Sequence, residues 1–192
     1  REVPVVITEE KLIIDAVDKV SPGIGRLLVI KEIEQTEEME EIFAGPIFNL
    51  TTEDETITMA LTPRATGTKY RVSFEGQKKK DISIASTSQS GSLTTYDLPP
   101  IEGLKGITMA SDDLNIGQTV VAISIDSLGY SVAVGVSSGF TITNEVKLFR
   151  TNAAKDNKGA VLINIDGELV GLSMGDGTAL YLEEINSFID SL

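Results

Sequence analysis

The 192-residue sequence contains no cysteine, no histidine and no tryptophan. Without cysteine the chain has no disulfide, no thiolate nucleophile and no Cys-based zinc or iron–sulfur site, although this absence does not identify its compartment. Without histidine it has no imidazole to act as a general base. With no tryptophan and no recognisable pair of catalytic carboxylates, glycoside hydrolysis is a poor interpretation.

Positive charge is scarce, since 16 Lys and Arg residues oppose 29 Asp and Glu residues and leave a formal net charge of −13. This field repels phosphate backbones and anionic lipid headgroups, so nucleic acid is not a predicted partner. No apolar run approaches the roughly 18 residues that a membrane-spanning helix needs. At 41% hydrophobic residues the chain can bury a full core, which favours one compact unit.

Apolar spacing predicts one helix near each end of the chain. Thr8 is placed to cap the first helix, and Ser21-Pro22-Gly23 ends it. The apolar stripe of this helix consists of Ile13, Ala16, Val17 and Val20. The second helix follows Glu183 and Glu184, and its apolar stripe consists of Ile185, Phe188, Ile189 and Leu192.

Between these helices the sequence alternates short β-branched runs with turn residues. Strands spaced by roughly 8–12 residues indicate a sandwich or barrel rather than βαβ units. Asp166-Gly167, between two apolar runs, predicts a hairpin turn. The predicted strands are 27–30, 56–61, 70–74, 82–85, 119–125, 131–136, 140–143, 146–149, 160–165, 169–173 and 179–182.

Three segments interrupt this pattern. Glu32 to Glu41 contains six glutamates and predicts a solvated loop, because it has too little apolar surface to bury. Lys78 to Lys80 predicts an exposed hairpin tip. Ser86 to Gly91 predicts a flexible polar loop that marks a boundary between two halves, with Pro99-Pro100 stiffening the crossing.

An ordered series of short motifs carries a family resemblance. The motifs are Asp15 to Pro22, Ile116 to Ile123, Leu128-Gly129, Val134 to Ser137, Thr151 to Ala154, Leu162 to Asn164 and Gly167 to Leu172. In this order they resemble bacterial HtrA (Deg) serine proteases, most densely from Asn115 to Leu172. The resemblance implies an all-β fold, a chymotrypsin-like double β-barrel with a short N-terminal helix and a C-terminal helix.

The resemblance also implies a domain plan. Residues 1–25 form a linker and helix, 26–98 the first barrel, 99–178 the second barrel, and 179–192 the last strand and the C-terminal helix. Many relatives continue into a peptide-binding PDZ domain after that helix, and none is expected here.

The resemblance places the nucleophile position in a segment without a nucleophile, because no Ser, Thr or Cys occurs from Asn152 to Leu172. Alignment back from Leu162 to Asn164 puts that position at Lys158. Counting forward from Thr151 puts it at Ala160 instead. Neither residue can attack a carbonyl as a serine does.

The other triad positions are vacant too. The resemblance puts the base position at Thr62 and the position of the orienting aspartate at Ser92. The turn that shapes the oxyanion hole is replaced by the shorter Lys155 to Lys158. The chain is therefore predicted not to be an enzyme but a catalytically degenerate pseudoprotease.

Two further kinds of chemistry are poor fits to the sequence. A Ser–Lys dyad of Lys158 with Ser173 or Ser92 would need a desolvated lysine, and this loop is polar. Asp112-Asp113 and Gly175 to Gly177 lack the alternating ligands of a calcium loop, so both are interpreted as turns. No metal and no cofactor are predicted.

The main functional hypothesis is a non-catalytic domain that binds or scaffolds proteins. An extended peptide is expected to add a strand to an exposed edge at Gly171, Leu172, Ser173, Met174 and Gly175. One alternative is a structural subunit of an extracytoplasmic homo-oligomer, with contacts through the terminal helices or the acidic loop. A second alternative is a hydrolase with relocated catalytic residues. By resemblance the chain is expected outside the cytoplasm, periplasmic or at the cell surface, behind a membrane anchor outside the given sequence.

Overall fold

The first helix begins at the residue that the sequence predicts. In the computed structural model, which describes residues 8–32, 39–53, 55–61, 69–88, 93–153 and 155–192, Thr8 caps α1 (Glu9–Val20). The hydroxyl oxygen of Thr8 accepts a hydrogen bond from the amide of Lys11 at 3.3 Å. This bond satisfies one of the amides that every helix start leaves without an intrahelical partner. A 3₁₀ turn, Ser21–Gly23, ends the helix as predicted.

The second helix, α2 (Leu182–Ile189), is shorter than its predicted apolar stripe. Leu182, Ile185 and Phe188 are buried, in agreement with the predicted spacing. Leu192 is 54% exposed, and its predicted place in the stripe is wrong. Because the helix ends at Ile189, the chain no longer carries Leu192 on the buried face.

Six antiparallel strands form the first barrel. They are β1 (Ile24–Glu32), β2 (Met39–Thr51), β3 (Thr56–Ala60), β4 (Lys69–Phe74), β5 (Lys80–Thr87) and β6 (Thr94–Asp97). They pair in the order β1-β4-β5-β6-β3-β2, and β2 pairs back with β1 to close the barrel. Buried and more exposed residues alternate along β4, as the pleat requires. The interior contains Leu27, Ile47, Tyr70, Val72, Phe74, Ile82 and Tyr96.

The chain then reaches the second barrel through β7 (Ile107–Thr108), which pairs in parallel with β2. The second barrel comprises β8 (Thr119–Ile125), β9 (Tyr130–Thr143), β10 (Val146–Thr151), β11 (Val161–Ile163), β12 (Leu169–Ser173) and β13 (Thr178–Tyr181). It closes in the order β10-β13-β12-β11-β8-β9. The predicted double barrel with two helices is therefore confirmed.

The predicted hairpin at Asp166-Gly167 joins β11 to β12. Gly167 has a φ of +73°, a conformation that favours glycine. The side-chain oxygen of Asn164 accepts hydrogen bonds from the amides of Asp166 and Glu168 at 3.0 and 2.9 Å. The turn also supports α1, because the Lys19 ammonium donates to the carbonyl of Asp166 at 2.8 Å.

A layer of buried apolar side chains lies between the two barrels and is called the inter-barrel layer below. It includes Phe48, Leu50, Leu61 and Leu93 from the first barrel and Val121, Ile123, Val161 and Leu172 from the second. Ala16 and Val20 of α1 and Ile185 and Phe188 of α2 join the same layer. α2 packs on β10, β12 and β13 of the second barrel, and α1 lies against the Asp166-Gly167 turn of the same barrel.

The acidic segment differs from its predicted loop. Residues 33–38 lie outside the described part of the chain, but Glu40 and Glu41 belong to β2 and pair with β1. Glu41 accepts hydrogen bonds from Lys79 and from Arg71, the latter at 2.8 Å. These two cations hold the pKa of Glu41 below its usual value. Glu40 and Glu41 remain exposed, as expected of glutamates, but strand pairing and cation partners place them in a strand rather than a loop.

Two further loop predictions change in the structure. The turn at Glu75 to Gln77 is present, but Lys79 is paired with Glu41 and Lys80 begins β5. Ser86 and Thr87 belong to β5, whose partner β6 lies in the same barrel. The predicted boundary at Ser86 to Gly91 is therefore wrong, although residues 89–92 lie outside the description.

The strand β9 joins two runs that were predicted as separate strands, 131–136 and 140–143. Ser138-Gly139 looks like a turn in the sequence, but it forms a bulge in a continuous strand. Before the bulge β9 pairs with β8, and after it with β10. A bulge bends a strand without ending it, which lets β9 turn the corner of the barrel.

Replacing Ile123 by Ala tests the inter-barrel layer. Ile123 is fully buried there, so its truncation is expected to lower the free energy of unfolding by about 2–5 kcal/mol. Leu128→Ala is the matched control, because Leu128 is 94% exposed and the change should stay within about 0.5 kcal/mol. Denaturant unfolding followed by circular dichroism measures both. Equal losses of unfolding free energy in the two variants would contradict the burial of Ile123 in the inter-barrel layer.

Candidate functional site

The turn at Lys158 lies at the junction of the two barrels. A Cβ atom added at Gly159 would lie 3.1 Å from Cγ of Pro46 and 3.7 Å from the carbonyl oxygen of Leu61, both in the first barrel. The resemblance places the base at Thr62, the residue after Leu61. The turn thus lies beside the chain that leads to the predicted base position.

Only one of the three predicted triad positions falls in the described residues. Lys158 is exposed, while Thr62 and Ser92 lie outside the description. Their chain neighbours Leu61 and Leu93 are both buried in the inter-barrel layer. The structure therefore gives the positions of Lys158, Leu61 and Leu93. The arrangement of the three predicted triad positions relative to one another lies outside the described residues.

Main-chain hydrogen bonds fasten the turn to β12. The amide of Gly159 donates to the carbonyl of Ser173 at 2.7 Å, and the amide of Ser173 donates to the carbonyl of Ala160 at 2.9 Å. Within the turn the amide of Ala160 donates to the carbonyl of Asn157 at 3.1 Å. Gly159 has a φ of +82°, which lets the chain reverse at this point. The amide of Gly159 therefore already has a hydrogen-bond acceptor within the protein.

Lys158 also lies in contact with the end of β12. A Cβ atom added at Gly175 would lie 3.0 Å from Cβ and 3.3 Å from Cα of Lys158. Trypsin-like proteases hold a substrate side chain in a pocket beside the nucleophile. Between Lys158 and Gly175 there is no room for such a side chain.

Three of the five predicted peptide-binding residues are closed to an added strand. Gly171 and Leu172 pair with β11 on one side and with β13 on the other, and Ser173 pairs with β13 and bonds to Ala160. All three are buried. The expected free edge is absent at these residues, because closure of the barrel occupies both of their sides. Met174 and Gly175, which follow β12, remain accessible in part.

Met174 lines a cavity of about 640 Å³ between the barrels and α2. Its apolar walls come from Leu93, Val146, Leu148, Met174, Leu180 and Phe188. Ser88, Thr143, Asn144 and Glu184 supply polar groups. A mostly apolar cavity of this size with a few polar groups is typical of ligand sites. The sequence did not reveal it, because its walls come from segments far apart in the chain and no local spacing connects them.

The Ser–Lys dyad, a poor fit to the sequence, finds no support in the described residues either. Ser173 is fully buried, and its hydroxyl oxygen accepts a hydrogen bond from the amide of Gly175 at 3.1 Å. Lys158 is exposed rather than desolvated. The alternative partner, Ser92, lies outside the description. A buried Ser173 cannot reach a substrate carbonyl.

The carboxylates of the two acidic segments, at Asp176 and Asp113, accept hydrogen bonds from other groups of the protein. Asp176 accepts from the hydroxyl and the amide of Thr178, the amide at 2.9 Å, and these bonds lower the pKa of Asp176. Asp113 accepts from the hydroxyl of Tyr181 at 2.6 Å. Burial, together with this bond, raises the pKa of Tyr181 to about 12. In the parts of the chain that the structure describes, no group of three or more carboxylates is placed to hold a metal ion.

Sequence comparison finds curated relatives but no matching family model. A probable periplasmic serine endoprotease DegP-like of Buchnera aphidicola is 29% identical over 114 residues, covering 55% of this chain and 24% of the relative. The periplasmic serine endoprotease DegP of Salmonella typhimurium is 28% identical over 112 residues, covering 54% of this chain and 24% of the relative. The match thus spans about a quarter of the length of each of these relatives.

Structure comparison covers nearly the whole chain. The HtrA-type protease AlgW with decapeptide has a TM-score of 0.75 at 17% identity, covering 96% of this chain and 68% of the other. AlgW with tripeptide has a TM-score of 0.72 at 17% identity, covering 93% and 62%. The chain shares the trypsin fold with these HtrA-type protease structures, as the resemblance implies. Within the described residues, neither helix is long and apolar enough to cross a membrane.

Substituting Gly175 by Ala tests the contact with Lys158. Gly175 and Gly76 both have positive φ, +91° and +68°, so alanine at either position costs about 1–2 kcal/mol in backbone strain. At Gly76 an added Cβ meets nothing within 4 Å, whereas at Gly175 it meets Lys158. We therefore expect the larger loss of unfolding free energy for Gly175→Ala. Equal losses in denaturant titrations would mean that Lys158 is not held against Gly175.

Proposed function

We propose that this chain is a non-catalytic, HtrA-like pseudoprotease domain that binds protein segments in the cavity lined by Met174. The observation that carries this proposal is the turn at Lys158, which is bonded to Ser173 and packed against Gly175. A nucleophile position held in this way leaves no room for a substrate side chain between Lys158 and Gly175. Binding needs only the cavity and no nucleophile.

The chemistry of acyl transfer supports the non-catalytic interpretation. A trypsin-like site needs a hydroxyl nucleophile and a histidine that accepts its proton, and the chain contains no histidine. Losing the nucleophile or the base costs on the order of 10⁶ in turnover. An oxyanion hole uses the amides of the nucleophile position and of the residue two before it, and the shorter turn Lys155 to Lys158 replaces the segment that would supply them. The relatives are named as serine endoproteases. The proposal that this chain differs from them rests on the residues of this chain alone.

The cavity supports a role in binding an extended segment with an apolar side chain. Its walls come from both barrels and α2, and Met174 in these walls is followed in the chain by Gly175, which contacts Lys158. The AlgW structures that share the fold contain a decapeptide and a tripeptide, which makes peptide a reasonable class of ligand for this chain. The periplasmic relatives support an extracytoplasmic location, and we extend the proposal to an anchor outside the given sequence.

A fluorophosphonate probe and a casein assay test the absence of catalysis. We expect no labelling and no cleavage by the parent chain, with active trypsin as the positive control. Lys158→Ser should stay inactive as well, because a hydroxyl at position 158 has no histidine to accept its proton. Labelling of the parent at any residue would contradict the proposal and favour the hydrolase with relocated catalytic residues.

Met174→Glu tests the cavity as the binding site. Apolar peptides selected from a mixed library should bind the parent saturably, and Met174→Glu should weaken binding by about tenfold or more, because it places a carboxylate among apolar walls near Glu184. Ile116→Glu is the matched control, since Ile116 is 67% exposed and does not line the cavity. Fluorescence anisotropy measures both. If Met174→Glu binds like the parent, the cavity is not the site.

A further inference from the structure

We propose that the cavity lined by Met174 takes a protein segment in which a lysine or arginine stands two positions from the apolar side chain and binds Glu184. This inference rests on the proposed function, because it names the class of segment that the same cavity binds. It adds a specificity-determining residue, Glu184, and the kind of side chain that this residue selects.

Glu184 is the one charged side chain in the wall of the cavity, as far as the structure describes that wall. The other lining residues are apolar or carry a neutral hydroxyl or amide group. Glu184 lies in the first turn of α2 and is half-buried, so its carboxylate is partly withdrawn from water. A carboxylate in such surroundings is stabilised best by a cation that also donates a hydrogen bond.

The main chain of β10 orients this carboxylate. Oε1 of Glu184 accepts a hydrogen bond from the amide of Lys147 at 2.9 Å. Among the described residues no donor contacts the other oxygen, Oε2. An ionised carboxylate has about four acceptor sites on its two oxygens, so Oε2 can accept from a ligand while Oε1 stays bonded. A side chain already held in this way loses less conformational freedom when a ligand binds.

The two lysines near the cavity form no ion pair with Glu184. Lys147 directs its ammonium to Glu183 at 3.1 Å and over the ring of Tyr181, 4.4 Å from the ring centroid. Lys158 does not line the cavity. The described part of the chain thus supplies no cation to Glu184, and a ligand can supply one.

The two segments that provide most of the described cavity wall are acidic. Residues 143–148 and 182–191 contain one lysine and four carboxylates. The carboxylates belong to Glu145, Glu183, Glu184 and Asp190. The formal net charge of the whole chain, −13, has the same sign. This field attracts a basic segment and repels an acidic one, so charge complementarity favours a cationic occupant.

The geometry of α2 sets the spacing between the apolar and the basic side chain. Phe188 and Glu184 both line the cavity and are four residues apart, so their Cβ atoms lie about 5–6 Å apart on one face of the helix. In an extended segment, side chains two positions apart share a face and lie about 6.6 Å apart. An apolar side chain against Phe188 therefore brings a basic residue two positions away beside Glu184. A residue one position away points to the opposite face.

Synthetic peptides test this preference. The probes are acetylated, amidated eight-residue peptides with leucine at the fourth position, lysine or acetyllysine at the second or sixth, and mixed uncharged residues elsewhere. Acetyllysine keeps the length of lysine without its charge, and the acetylated terminus leaves the lysine as the sole cation. Competition calorimetry should show about three- to tenfold tighter binding with lysine, at the second or the sixth position according to the direction of the segment.

Glu184→Gln should abolish the preference for lysine. Glutamine keeps an acceptor for the amide of Lys147 but carries no charge, so the variant should bind the acetyllysine peptides within about twofold of the parent. Glu102→Gln is the matched control, because Glu102 is exposed, does not line the cavity and gives the same change of net charge. This control should retain the preference.

The outcomes separate this inference from the proposed function. Leucine peptides that bind the parent saturably and lose affinity with Met174→Glu, but do not distinguish lysine from acetyllysine, overturn the inference and leave the proposed function standing. A preference that Glu184→Gln retains also overturns it. So does an equal gain from lysine at the third or fifth position. If none of the peptides binds the parent, the inference fails together with the proposed function.

Discussion

The apolar layer between the two barrels holds the other parts of this molecule in place. Leu61 of the first barrel and Val161 and Leu172 of the second are buried in it, and the turn at Lys158 lies beside them. Each fully buried side chain of this size contributes about 1.5–3 kcal/mol, so the layer binds the barrels and both helices into one unit. The position of Gly159 against Pro46 follows from that packing.

The same packing is consistent with the proposed absence of catalysis. A catalytic turn has to keep room for a substrate side chain beside the nucleophile, whereas the turn here donates the Gly159 amide to Ser173 and packs against Gly175. Both contacts favour a closed arrangement. A binding role makes no such demand on this turn, because the neighbouring cavity has walls from separate elements. The proposed function and the local structure are therefore consistent.

The sequence predicted the elements that local rules control. The Thr8 cap and the bounds of β8 and β12 agree with the structure because each depends on nearby residues. It missed β2, whose glutamates are stabilised by strand pairing and by cations distant in the chain. It also divided β9 at Ser138-Gly139, since a bulge and a turn have similar sequences. At the candidate site, the resemblance located Lys158 in the sequence. The cavity was not predicted, because it depends on tertiary contacts that residue spacing in the sequence does not reveal.

Hydrogen exchange at the amide of Gly159 tests the central claim most directly. If the turn at Lys158 is fastened to β12, this amide should be protected, with exchange slowed to a degree similar to that of the Ser173 amide, because both bonds belong to the same contact. The amide of Gly76, in the exposed turn between β4 and β5, gives the unprotected reference. Exchange at Gly159 as fast as at Gly76 would mean that the turn is open, and would contradict the contact between the turn and β12.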